Sequence, residues 1–176
     1  MSHIVVVGAG QAGASLVAKL RKDSFDGDIT LIGAEPVPPY QRPPLSKAYL
    51  LGEMAEERLY LRPAEFYADQ NITLRTDATV TSIDAAAKTV MLGDEVIQYD
   101  QLALTTGSQP NRLPASIGGA LDGVFCVRDL ADADAMAPYV TAGKRALIVG
   151  GGYIGLEAAA VCAKRGVNVT LAEMAD

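Results

Sequence analysis

Cysteine and histidine are scarce in this chain of 176 residues, with two of the first and one of the second. Cys126 and Cys162 stand 36 positions apart, and no CxxC or CxxxxC pair is present. With His3 as the sole histidine, this excludes a zinc site of the usual ligand spacing and a vicinal redox disulfide. Each cysteine sits in apolar sequence, Cys126 within 124–127 and Cys162 within 158–163. Both are expected to be buried small hydrophobes. Clustered positive charge is also lacking. The net charge is -6, and no Lys/Arg patch offers the footprint that a phosphate backbone needs, so nucleic-acid binding is excluded. Small anionic cofactors are still possible, because backbone N–H groups can hold them. No apolar run approaches the roughly 20 residues of a membrane span. The first strand starts by Ile4, leaving no room for a signal peptide, so a reducing, cytoplasmic location is expected.

Apolar residues make up 49% of the chain, ample for a packed core. Residues 3–8, HIVVVG, form a continuous β-branched run without polar alternation, as in a parallel strand covered on both faces. It should lie in mid-sheet. From 11 to 22, Ala12, Leu16, Val17 and Leu20 have the spacing of an amphipathic helix, and 28–33 returns as a strand. This is a complete βαβ unit, expected to cross over right-handed. Five prolines between Pro36 and Pro44 force an irregular loop. A short helix is expected over 45–51, stopped by Gly52, and another over 62–67 with Pro63 in its first turn. Period-two alternation in 72–75, 79–83, 89–92 and 96–99, with a Gly93-Asp94 turn, predicts a small antiparallel meander. Residues 101–107 form another buried strand, 110–123 a loop and 130–139 a helix.

At 145 the pattern begins again. Strand, glycines, helix, strand and acid recur in the same order in 4–35 and 147–173, so the chain holds two nucleotide-binding starts of one kind. The predicted class is α/β, a Rossmann-like parallel sheet with an attached meander, followed by the start of a second Rossmann unit.

Gly8, Gly10 and Gly13 form GxGxxG between a strand and a helix. The first glycine permits the tight turn, the second lets the backbone approach a pyrophosphate, and the third brings helix and strand close. The helix N-terminus at Ala12 and its neighbours supplies N–H groups for phosphate. Glu35, 22 residues beyond Gly13, is placed to accept hydrogen bonds from an adenosine ribose. The second copy has Gly150, Gly152 and Gly155, with Tyr153 and Ile154 at the helix start and Glu173 18 residues beyond. An acid there would repel a 2'-phosphate and so favours NADH over NADPH. Two such motifs imply two dinucleotides, and the usual chemical reason is hydride transfer between nicotinamide and flavin.

The segment PYQRPPLSK over 39–47, with the glycines before it and GGGYIGLE over 150–157 after it, resembles the flavoprotein ferredoxin reductases that serve oxygenases. This putidaredoxin, rubredoxin and rhodocoxin reductase group is related to apoptosis-inducing factor, and the resemblance covers the whole chain. It implies FAD and NAD as cofactors and an iron-sulfur ferredoxin as electron acceptor. It further implies that Arg42, Lys47 and Arg128 contact FAD, that Val80 meets the adenine, and that the turn through Thr105, Thr106 and Gly107 approaches the flavin. Lys47 and Glu157 match a catalytic pair beside the isoalloxazine. Many relatives carry an acid at the position of Ala34, so ribose recognition here falls to Glu35 alone. Disulfide-using relatives carry cysteines before position 126 that this chain lacks, so electrons are expected to leave the flavin singly to an external carrier.

The same resemblance divides the chain into 1–112, the first part of an FAD-binding domain; 113–144, a connection; and 145–176, the start of an NADH-binding domain. Three strands of that domain, the return segment of the FAD domain and a C-terminal domain are expected beyond Asp176. This piece alone is then expected to hold FAD weakly. Two other functions remain open: a flavin-dependent redox sensor like apoptosis-inducing factor, and an NADH reductase of a small acceptor such as nitrite or dioxygen.

Overall fold

The computed structural model describes residues 2–174. The chain divides into two compact units, one of residues 1–41 and 60–108, the other of 42–59 and 109–176.

The first unit is built on a four-stranded parallel sheet. Strands β1 (His3–Val7), β2 (Asp28–Ile32), β3 (Ile72–Arg75) and β7 (Gln101–Leu104) lie in the order β3-β2-β1-β7. β1 is thus in mid-sheet, paired with β2 on one side and β7 on the other. Its unbroken apolar run follows from burial on both faces. Ile4 and Val6 pack with Val17 of helix α1 (Gln11–Lys22), Ile29, Leu31, Ile72 and with Tyr67 of helix α2 (Ala64–Asp69). Val5 packs the other way, with Ile32 and Val90. Alternate residues of one strand therefore feed two cores. Val5, Val6 and Leu31 are fully buried, and each stabilises the fold by roughly 1.5–3 kcal/mol relative to exposure.

The second face is covered by an antiparallel meander of β4 (Ser82–Asp84), β5 (Thr89–Leu92) and β6 (Glu95–Gln98). Gly93, with φ +59°, turns β5 into β6 as its place before Asp94 requires. Two expectations are corrected here. Residues 72–75 do not belong to the meander; β3 pairs in parallel with β2. Residues 79–81 lie outside β4, which begins at Ser82. Alternation marks a half-covered strand but does not name its partner.

In the second unit, helix α3 (Leu130–Met136) is closed by a reciprocal capping box between Asp129 and Asp132. Strand β8 (Arg145–Val149), helix α4 (Tyr153–Lys164) and β9 (Asn168–Ala172) form the second βαβ unit, with β8 and β9 parallel. Val161, Cys162 and Val167 pack with Val140 and with Leu50 of the 42–59 segment. The helix expected over 45–51 is absent. A single 3-10 turn spans Pro43–Ser46, and Lys47 leaves helical geometry at φ -132° and ψ -115°. The break at Lys47 ends the turn, so no α-helical ladder runs on through 45–51. Cys162 is buried as expected, and burial pushes its thiol pKa up. Cys126 is only half-buried, because its apolar run lies in a loop without a strand to carry it inward. Among the described residues no helix is long and apolar enough to cross a membrane.

Candidate functional site

Each βαβ unit ends its first strand on the same backbone construction. In the first, Gly8 takes φ +112° and donates its N–H to the Ile32 carbonyl at 2.8 Å. A Cβ on Gly8 would lie 2.2 Å from the Thr105 carbonyl oxygen, and one on Gly13 would lie 2.2 Å from the Gly8 carbonyl oxygen. Neither position can hold a side chain without moving backbone. Gly10 is different in kind. It has no neighbouring atom within 4 Å of an ideal Cβ, so the space beside it is open. α1 begins at Gly10 with no side-chain cap and no acid in its first turn. The N–H groups of Gln11, Ala12 and Gly13, in the first turn of the helix, have no carbonyl a turn earlier to receive them. Open backbone with a helix N-terminus behind it fits a pyrophosphate.

The second turn repeats the backbone of the first, except that nothing lies within 4 Å of an ideal Cβ on Gly150. Gly150 takes φ +106° and donates to the Ala172 carbonyl at 2.8 Å. A Cβ on Gly155 would lie 2.1 Å from the Gly150 carbonyl oxygen, whereas Gly152 has open space. α4 begins at Gly152 with no side-chain cap, and its first residues, Tyr153 and Ile154, are exposed. This opening too fits a dinucleotide.

The two acids are held differently. Glu35 follows β2 and its Oε2 accepts the Tyr40 hydroxyl at 2.6 Å, with Tyr40 itself buried. The backbone at Glu35 accepts from Asp77 N–H, and Gly33 from Ala78 N–H, both at 2.9 Å. These bonds carry the chain past Glu35 toward Val80, which is half-buried against Val5, Ile32 and Val90. The Glu173 carboxylate instead closes on its own glycine turn, accepting from the Gly151 N–H.

Thr105 ties the end of β7 to the first turn. Its N–H donates to Val7 O and its hydroxyl to Gly8 O, both at 2.8 Å. The next two residues, Thr106 and Gly107, are exposed, and Gly107 has φ +71°.

The proline-rich segment supplies the polar groups of the second unit. Arg42 donates to the Arg128 carbonyl at 2.8 Å, joining two of the expected cofactor contacts. Lys47 and Glu157, separated by 110 positions, form an ion pair of 2.6 Å between Nζ and Oε2. Glu157 stands in the first turns of α4 and is about one-third exposed. The same Oε2 accepts the Ser46 hydroxyl at 2.6 Å. The hydrogen bond from Lys47, then that from Ser46, hold the Glu157 carboxyl below its ordinary pKa. The depressed pKa favours the ionised carboxylate that the Lys47 side chain pairs with.

Sequence reasoning quoted Tyr40 and Ser46 as part of a motif but gave neither a role. Their signal lay only in belonging to that motif, Ser46 directly before Lys47 and Tyr40 two residues before Arg42. A shallow recess of about 420 Å³ lined by Lys19, Lys22, Arg62 and Phe66 contains none of the expected site residues.

A family model described as pyridine nucleotide-disulphide oxidoreductase matches residues 2–176. The chain is 45% identical over 174 residues to a ferredoxin–NAD(P)(+) reductase of Sphingomonas sp, covering 98% of this chain and 42% of that protein. It is 41% identical over 176 residues to putidaredoxin reductase of Pseudomonas putida, covering 98% and 42%. The reductase of a covalent putidaredoxin reductase–putidaredoxin complex superposes with a TM-score of 0.92 at 41% identity, over 97% of this chain and 42% of that one. The chain thus spans about two fifths of the length of these relatives.

Proposed function

The chain belongs to the pyridine nucleotide-disulphide oxidoreductase family, and on that premise we propose that the whole protein is an FAD-dependent NADH:ferredoxin reductase. The observation that carries this reading is the duplicated glycine turn: Gly8 and Gly150 share a positive φ and a hydrogen bond to the next strand, Gly10 and Gly152 stand open, and Gly13 and Gly155 crowd a carbonyl. Two openings of one construction suit two dinucleotides, and a chain that binds both can pass hydride between them. FAD, when bound, supplies the conversion between a two-electron donor and one-electron acceptors.

In this reading 1–112 is the first part of the FAD-binding domain, 113–144 a connection and 145–176 the start of the NADH-binding domain. Gly8, Gly10, Ala12 and Gly13 hold the FAD pyrophosphate through backbone N–H groups, and Glu35 accepts from the adenosine ribose. Val80 meets the adenine, while Thr106, Gly107, Arg42 and Arg128 bind the remainder of the cofactor. Gly150, Gly152, Tyr153, Ile154 and Gly155 bind NADH, and Glu173 accepts from its ribose and repels a 2'-phosphate. Lys47 is the cation that offsets negative charge gained by the reduced flavin, and Glu157 holds its ammonium in position. The acceptor is an iron-sulfur ferredoxin serving an oxygenase, a reading supported by relatives named as reductases of ferredoxin and of putidaredoxin. Diffusible NADH and ferredoxin make the cytoplasm the compartment.

The test is the visible spectrum of the full-length protein with and without nicotinamide. A yellow protein whose flavin bleaches faster with NADH than with NADPH, and which then reduces an iron-sulfur ferredoxin, is expected. A colourless protein, or equal rates with both nicotinamides, defeats the corresponding cofactor assignment.

A further inference from the structure

Ser46 is buried at 4% exposure, one residue before an exposed lysine. It closes the 3-10 turn begun by Pro43 and Pro44, whose fixed φ angles restrict where its side chain can stand. A buried hydroxyl must find a partner, and this one donates at 2.6 Å to Oε2 of Glu157, 111 positions away. The Lys47 ammonium lies 2.6 Å from that same oxygen. Lys47 is half exposed on a long flexible stem, whereas Ser46 is short and buried. The two hold one carboxylate oxygen with very different rigidity.

We propose that Ser46 is the positioning residue of the pair: its hydroxyl fixes Glu157 Oε2, so the carboxylate keeps its place and charge as the anchor that holds the Lys47 ammonium. This rests on the reading of Lys47 and Glu157 given above. Without Ser46, the carboxylate would be free to follow the ammonium or to rotate into solvent, because nothing rigid on the 42–59 segment would hold it. Three separate contacts join this segment to the helices against it. Glu53 meets Lys164 at 2.7 Å, Arg165 donates to the Leu51 carbonyl, and Tyr49 donates to Asp134 of α3. These contacts dock the segment on α4 and α3 without Ser46. Its hydroxyl is therefore spent on the carboxylate, and docking of the segment does not depend on it.

The experiment compares Ser46→Ala and Ser46→Thr in the full-length protein. In flavin-free protein, the Glu157 carboxyl is followed by carbon NMR during an acid titration, its signal assigned by its loss in Glu157→Gln. Ser46→Ala should move this titration to higher pH, and Ser46→Thr should return it. In the FAD-loaded protein, the acid limb of the pH profile for flavin reduction by NADH should move the same way, with a loss of about tenfold on that limb, as for one hydrogen bond to a charged group. Lys164→Ala breaks a docking ion pair of the same segment and should move neither profile. The proposal fails if the Ser46→Ala carboxyl titrates as in the wild type, or if Lys164→Ala reproduces the shift. A wild-type protein that binds no FAD would instead defeat the functional reading, while the carbon titration would still decide the link between Ser46 and Glu157.

Discussion

Tyr40 donates its hydroxyl to the Glu35 carboxylate at 2.6 Å from a side chain that is itself only 4% exposed. The ring is locked by burial, so the bond fixes the carboxylate's direction at little further entropic cost. Tyr40→Phe keeps the ring and removes the hydroxyl that makes this bond. Its effect on FAD affinity is expected to be about tenfold, from the roughly 1.5 kcal/mol of a hydrogen bond to a charged group. Titrating flavin-free full-length protein with FAD and with FMN separates the causes. FMN has no adenosine ribose, so its affinity should not change; an equal loss for both would assign Tyr40 to general packing.

The glycines of the two turns divide into two kinds, and substitution should reveal both. Gly13→Ala and Gly155→Ala each drive a methyl into a carbonyl oxygen, at 2.2 and 2.1 Å, and must displace the turn. Gly13→Ala should yield colourless protein of lowered melting temperature. Gly155→Ala should keep its flavin and lose rapid reduction by NADH. Gly10→Ala meets nothing within 4 Å, so its melting temperature without FAD should be close to the wild type while FAD binding falls. A Gly10→Ala protein that binds FAD normally would show that the opening beside Gly10 is not the pyrophosphate site.

Both βαβ units could be recognised in the sequence because local signals agreed there. The β-branched run at Val5 and Val6, the glycine spacing and the Leu16–Leu20 helical spacing all required one local geometry. The 45–51 segment misled because Leu45, Leu50 and Leu51 have an apolar pattern, yet Lys47 leaves helical φ/ψ and ends the turn after Ser46. Ile72 and Leu74 alternate as any half-covered strand does, and only the tertiary pairing with β2 decided their sheet. The candidate site divides in the same way. Glycines and acids could be read because their spacing is fixed by the backbone, whereas the Ser46–Glu157 bond joins positions 111 apart and leaves no periodic trace.

Acid should loosen the attachment of the 42–59 segment to α4. The Glu157 carboxyl is held below its ordinary pKa, first by the hydrogen bond from Lys47 and then by that from Ser46. A carboxyl whose pKa is depressed on folding contributes stability above its unfolded value, and that contribution disappears as pH falls through the folded value. Glu157→Gln should therefore lower the melting temperature at neutral pH, and its difference from the wild type should close as pH is lowered below the ordinary carboxylate range. The group is partly exposed, so the neutral-pH difference is expected to be small and to shrink in high salt. A difference that persists unchanged at low pH would trace the effect to packing, with no contribution from charge.

In the proposed reading the choice between the two nicotinamides depends on Glu173, whose carboxylate accepts the Gly151 N–H beside the second turn. This bond keeps a negative charge at the end of β9, where a 2'-phosphate would have to enter, and a dianionic phosphate beside a carboxylate is repelled. Glu173→Gln removes the charge but can still accept a hydrogen bond through its amide oxygen. It should keep most of the NADH rate while raising kcat/KM for NADPH severalfold. Glu173→Arg adds a cation able to pair with the phosphate and should invert the preference, with NADH falling at least tenfold for want of a ribose acceptor. The measurement is kcat/KM for flavin reduction with both nicotinamides at two ionic strengths. Repulsion predicts that added salt narrows the wild-type ratio, because screening acts only where charge discriminates. If Glu173→Gln and the wild type show the same ratio at both salt concentrations, selectivity comes from the shape of the second turn and not from the charge of Glu173.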